Sequence, residues 1–403
     1  MQAPLATRNF SGVRSQYAVN RIRTMTEVAL AHHWLVGMRG GEKVLEQIAR
    51  LFPAAPIYTL IANRARLSPE LRGHPIYQSP LRFLPGAARH YKKMLPLFPA
   101  AFRGLRVAGS PELLITSDAS VAKGLSYGRD VPHFCYCHSP PRYLWAMQET
   151  YLRHTAGLGA AQRAVFKSVA PYLRRFDFEA AQRVTCFIAN SQFVRERIRD
   201  CYRRDAAVIH PPVEIDAFES GGTPGDFHLI VSELTPYKRV DIAVDAFNRI
   251  GRKLVVIGAG SELAGLRARA KSNITFLGRQ PFPVLKQHYE TCRAFIFPGI
   301  EDFGITPLEA QAAGRPVIAY REGGVLETVI DGRTGIFFER QTPESLAEAV
   351  VRFEKDPGQF SAKTCRENAE RFAPENFRAQ LKRLLEEKLP ALFANYAWPD
   401  APS

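Results

Sequence analysis

Short apolar runs alternate along this chain with longer stretches whose apolar residues recur at helical spacing. VALAHHWL opens the series after Met25, and GGEKVLEQIARLF follows with Val44, Ile48 and Leu51 on one helical face. APIYTL, ELLITS, HFCYCH and TCFIANS read as further strands, a helix starts at Gln192, and AAVIHPPV closes the series. Apolar strands separated by helices predict a mainly parallel sheet covered on both faces. Pro211-Pro212 breaks the alternation, and ESGGTPGD, Glu219 to Asp226, has the turn formers of a linker. A second series then runs through FHLIVSEL, KLVVIG, NITFLG, RAFIFPG, RPVIAY and TGIFF, and from Pro357 to about Phe393 the pattern is helical. The expected class is α/β: two Rossmann-like, doubly wound domains facing across a cleft, with C-terminal helices crossing back. The expected divisions are a basic tail at 1–24, a first domain at 25–214, a linker at 215–226, a second domain at 227–380, and a terminal helix at 381–403 returning to the first domain.

Composition narrows the picture. With 403 residues the chain is long enough for two cores, and 54 Lys+Arg against 39 Asp+Glu leave a net charge of +15. Such an excess suits a polyanionic partner: nucleic acid, an acidic membrane leaflet or a phosphorylated substrate. No apolar run is long enough to span a bilayer. Arg8, Arg14, Arg21 and Arg23 lie in an N-terminal stretch without an apolar core, so it does not read as a signal peptide; a disordered tail or a start assigned too early is the expectation. The six cysteines form no C-x-x-C pair and suit a reducing cytoplasm. IGAGSEL holds Gly258 and Gly260 without a third glycine in register, and there is no G-x-x-x-x-G-K-[ST] loop, so dehydrogenases and P-loop NTPases are disfavoured.

The stretch EDFGITPLE holds Glu301 and Glu309 at the carboxyl edge of the second sheet, where ligands bind in open α/β folds. Thr306 reads as an N-cap, Pro307 as the first helical residue and Glu309 as the third, which would make Glu309 a capping residue. The longer run EDFGITPLEAQAAGRPVIAYREGGVLETV resembles the donor-binding motif of the retaining glycosyltransferases of family 4, which have the two-domain GT-B fold. HWLVGMRGGEKVLE, CHSPPRYLW, IANSQFVRERI, PPVEIDAF, LTPYKRVD and VIGAGSE extend the resemblance over nearly the whole chain after Met25. Within that family the chain is similar to bacterial O-antigen and exopolysaccharide transferases, many of them mannosyltransferases.

That resemblance implies a sugar nucleotide as co-substrate, GDP-mannose before a UDP-sugar, and a glycan or polyprenyl-diphosphate-linked acceptor. It gives Glu309 the ribose hydroxyls, Glu301 the hydroxyls of the donor sugar, and His138 a contact to the transferred sugar. Stabilising the charge that develops on a departing diphosphate speeds its departure. Lys238 can reach a phosphate as a point charge with Arg239 assisting, and Gly304, Ile305 and Thr306 offer backbone N–H groups at a positive helix end. Gly40 and Gly41, without side chains, allow close approach. In the resembling family the acceptor hydroxyl attacks on the leaving-group face, so no protein nucleophile is named. Glu233 departs from the pattern, standing where that family carries arginine beside the diphosphate.

No D-x-D metal signature stands out; the DFE at Asp177 to Glu179 reads as structural helix, and no metal or other cofactor is expected. Arg82 to Arg106 carries Arg82, Arg89, Lys92, Lys93, Arg103 and Arg106 without an acid, interleaved with Phe83, Tyr91, Leu95, Leu97, Phe98 and Phe102. That composition suits peripheral contact with an anionic membrane, on the cytoplasmic face, as well as a helix packed on the first domain. Nucleic-acid binding would explain the charge but no recognition motif accompanies it.

Overall fold

The structure is a computed structural model that describes residues 27–146 and 160–399, the side chains of 92, 93 and 160–162 excepted. The basic tail expected at 1–24 lies outside the described residues. The first sheet is wholly parallel in the order β3-β2-β1-β4-β5-β6-β7: β1 Val28–His32, β2 Ile57–Thr59, β3 Ile76–Gln78, β4 Leu113–Asp118, β5 His133–Cys137, β6 Cys186–Ala189 and β7 Ala206–Val208. The second is parallel in the order β10-β9-β8-β11-β12-β13: β8 Phe227–Val231, β9 Lys253–Ile257, β10 Ile274–Gly278, β11 Ala294–Phe297, β12 Val317–Tyr320 and β13 Gly335–Phe338. The expected α/β class with two doubly wound domains is what the chain adopts. Strand order reverses between β1 and β4 and between β8 and β11. Crevices open at such switch points, and here the two face each other.

Local chemistry explains the elements that frame the cleft. Helix Gly40–Leu51 buries Val44, Leu45, Ile48 and Leu51 on one face, and Glu42 accepts the backbone N–H of Arg39 at 3.1 Å to close its first turn. The chain crosses between domains twice, side by side: the N–H of Val213 donates to the carbonyl of Phe372 at 2.9 Å. Val213, Ile215 and Phe218 pack into the second core, so the first part of the expected linker belongs to that domain. The return to the first domain begins before residue 381, in helix Pro374–Lys388, whose Phe377, Leu381 and Leu385 join Val44 and Ile48 in the first core. Arg378 adds a hydrogen bond to Gln47.

Among the described residues no helix is long and apolar enough to cross a membrane. In the basic segment, Tyr91, Leu95, Phe98 and Phe102 are buried in the first domain, while Phe83 is 74% exposed and Leu97 49%. Four of the six apolar residues singled out in the sequence are therefore packing residues, and Phe83 and Leu97 face solvent together with Leu84.

Candidate functional site

Parallel register brings the ends of β1, β4 and β5 together, pairing His32 with Ser117 and Asp118 with Cys137. His138 follows β5 directly. Its Nε2 lies 2.8 Å from Ser117 Oγ, which lies 3.1 Å from His32 Nδ1. Its backbone is held as well: its N–H donates to the Asp118 carbonyl at 2.9 Å, and its carbonyl accepts from Asn190 Nδ2 at 2.9 Å. Burial, reinforced by the neighbouring His33, pushes the His138 imidazole down to about 3, so it is a neutral group at physiological pH. The helix starting at Gly40 passes close above. A Cβ on Gly41 would stand 3.3 Å from His32 and 3.5 Å from His138, and one on Gly40 would stand 2.9 Å from Ile305 of the opposite domain.

Across the cleft, Lys238 ends the 3-10 turn Pro236–Lys238, and its Nζ forms an ion pair with Glu301 in the loop after β11. Burial, then the positive charge of Arg142, push its ammonium down to about 8, against the pull of Glu233 and Asp302. Arg142, from the first domain, lies 3.6 Å from the other oxygen of Glu301 and donates through Nε at 2.7 Å, and through Nη2, to Asp302 Oδ2. Arg197 Nη1 donates to Asp302 Oδ1 at 2.6 Å. A second cross-domain contact joins Glu327 to the backbone N–H of Gln192 at 2.8 Å and to His210 Nε2 at 2.9 Å.

Thr306 is not an N-cap. Helix Ile305–Ala312 is capped by Gly304, whose φ of 94° lies in the left-handed region that glycine tolerates best. Pro307 falls third in the helix, where its missing N–H is one the helix leaves unpaired anyway. Ile305 and Thr306 keep their N–H groups in that unpaired first turn, beside Lys238. Glu309 caps nothing; it accepts from Tyr289 Oη at 2.8 Å, and burial raises its pKa while the charge of Lys43 opposes.

These residues line an interdomain cavity of about 400 Å³, within the usual range for a small-ligand site. Gly40, Gly41, His138, Lys238, Glu301, Gly304, Ile305 and Thr306 all face it. Arg239 does not: it turns into a neighbouring cavity of about 560 Å³ and pairs with Asp241 and Gln341. Glu309, half-buried, is not one of the residues that line the first of these cavities. Sequence reading missed Arg142, although it lies inside the CHSPPRYLW motif, and missed Ser117, Asn190 and Asp302. Asp177 of the DFE run is fully buried within helix Ala160–Gln182, 2.5 Å from Lys123 Nζ.

Comparison with known proteins defines the class. Residues 38–217 match Glycosyltransferase Family 4 and residues 213–372 match Glycosyl transferases group 1. The two matches adjoin and together span residues 38–372, one on each of the two sheet domains. It is 28% identical over 204 residues to a GDP-mannose-dependent alpha-(1-6)-phosphatidylinositol monomannoside mannosyltransferase of Mycolicibacterium smegmatis, covering 43% of this chain and 53% of that one. It is 29% identical over 246 residues to a D-inositol 3-phosphate glycosyltransferase of Mycobacterium avium, covering 54% and 58%. The chain spans little more than half the length of these curated relatives. The crystal structure of Anabaena HepE in complex with UDP shares the fold, with a TM-score of 0.64 at 17% identity over 90% of this chain and 100% of that chain.

Proposed function

We propose that this protein is a retaining, metal-independent glycosyltransferase that moves mannose from GDP-mannose to a glycan or polyprenyl-diphosphate-linked acceptor in bacterial surface polysaccharide synthesis. One observation carries the reading: Lys238, Glu301 and the first turn of helix Ile305–Ala312 face His138 and the glycine start of helix Gly40–Leu51 across one cavity. In this reading Lys238 and the N–H groups of Ile305 and Thr306 take the diphosphate, and Glu309 turns from Tyr289 to the ribose. Glu301 exchanges Lys238 for hydroxyls of the donor sugar, and His138 meets that sugar from the other side. The acceptor oxygen bonds to the anomeric carbon as the bond from that carbon to the phosphate oxygen breaks, and the acceptor proton passes to a phosphate oxygen. A cationic side chain and a helix end supply the charge stabilisation that a divalent ion supplies elsewhere. The GDP-mannose dependence of the mycobacterial relative favours that donor.

A thermal-shift titration with GDP, UDP, ADP and their sugar conjugates, with and without EDTA, tests this reading, since a ligand that binds only the folded state raises the melting temperature. The expected result is a rise with GDP and GDP-mannose that survives EDTA and is lost in Glu309→Ala and Lys238→Ala. A rise with UDP species alone overturns the donor, and a rise abolished by EDTA overturns metal independence. No rise with any nucleotide overturns the enzyme reading in favour of a weak or non-catalytic homologue.

A further inference from the structure

The cleft gathers more positive charge at one point than Lys238 alone provides. Lys238 takes one oxygen of Glu301, and Arg142 approaches the other at 3.6 Å. Two cations from opposite domains thus converge on a single carboxylate, and Arg142 lowers the Lys238 pKa by its proximity. Arg39 of the first domain also lines this cavity, but among the described residues no ion pair joins it to Glu301. Arg239 is turned away and paired, and Glu233 is exposed and places a negative charge beside Lys238. Arg197 is engaged on Asp302 Oδ1, which keeps Asp302 paired when Arg142 moves. The Arg142 guanidinium forms part of the wall between the two cavities and donates to Asp302 through Nε and Nη2 only. A guanidinium has five N–H donors in a planar fork that matches phosphate oxygens in pairs.

We propose that Arg142 is the second cation of the diphosphate site: on donor binding it swings from Glu301 and Asp302 and, with Lys238, holds the diphosphate of the sugar nucleotide from the opposite domain. Glu301 and Asp302 occupy these cations as internal anions until the nucleotide displaces them. The cation on which the leaving group depends then arrives only when the domains are closed, which couples closure to departure of the diphosphate. This inference rests on the glycosyl-transfer reading above.

Calorimetry with GDP, UDP, GMP and UMP tests it on the whole protein. The unsubstituted protein must bind one of the diphosphates; failure there sinks the functional reading and this inference with it. Given such binding, Arg142→Gln is expected to weaken the diphosphate by about 10- to 100-fold, the range for one charge-assisted contact. The corresponding monophosphate is expected to change by no more than about 3-fold. Glu233→Arg, which puts a cation back beside Lys238, is expected to recover most of the loss in the Arg142→Gln background. Unchanged diphosphate affinity in Arg142→Gln, or an equal loss of diphosphate and monophosphate without recovery, would make Arg142 a domain clamp only. Should Arg142→Gln fail to fold, Asp302→Asn decides. Releasing Arg142 from its internal anion is expected to tighten diphosphate binding several-fold, whereas unchanged or weaker binding overturns the proposal.

Discussion

Lys123 is the cation whose removal the fold should tolerate least. Its side chain is 1% exposed, with Nζ 3.1 Å from Asp118 Oδ2, 2.5 Å from Asp177 Oδ1 and 3.1 Å from the Ser120 carbonyl. Burial opposes its charge, but Asp118 and Asp177 outweigh burial and hold its pKa well above the usual lysine value. Asp118 accepts the backbone N–H groups of Ser120, Ala122 and Lys123, and its carbonyl holds the N–H of His138. Asp177 accepts from Trp145 Nε1 and Tyr202 Oη, both at 2.8 Å. Lys123→Met leaves two carboxylates buried without their shared cation, and breaking a buried pair from one side costs about 3–5 kcal/mol. For a domain of this size that lowers the melting temperature by roughly 6–20 °C, at about 2–4 °C per kcal/mol. Urea unfolding followed by tryptophan fluorescence is a fitting assay because Trp145 belongs to the network. Adding Asp177→Asn to Lys123→Met removes one stranded charge and should recover part of the loss. A loss below about 1 kcal/mol, or a double variant no more stable than Lys123→Met, would refute the view of Lys123 as the hub of the network.

Acidification should destabilise the protein through the histidines at the cleft. Burial lowers His33 to about 4 and His138 to about 3, so the unfolded chain binds protons first as pH falls through 6.5. The stability is present above that pH and lost on the way down. Urea midpoints at pH 7.5 and 5.0 should differ, and His33→Gln should flatten the difference by on the order of 2 kcal/mol. Glu309→Gln should leave the melting temperature nearly unchanged, because Glu309 caps nothing, while nucleotide affinity measured by calorimetry falls about 10-fold. Phe83→Ser with Leu97→Ser should abolish flotation with anionic vesicles without lowering the melting temperature, since both side chains are exposed. Flotation equal to the unsubstituted protein would remove this face from the membrane reading.

The alternation of apolar runs made the two-sheet plan legible, because strands buried on both faces leave a strong signal. Strand β3 escaped because Ile76–Gln78 is three residues of partly exposed edge, too short to show a period. The Thr306-Pro307 pair carries real capping chemistry, yet Gly304 starts the helix sooner because its left-handed backbone turns the chain straight out of the loop after β11. Lys238, Glu301 and His138 were legible because each lies in a short motif next to a strand end, and parallel topology carries strand ends to the same edge. Arg142 also lies in such a motif, but its role depends on what faces it from the other domain. Its partners Glu301 and Asp302 stand about 160 positions further along the chain. Spacing within a domain cannot report a contact made only when two domains meet. The chain joins those domains near residue 213 and again near residue 372, and the paired segments there leave the cleft walls on separate bodies. A cation that reaches across the gap is therefore visible only in the assembled fold, where Arg142 meets Glu301 and Asp302.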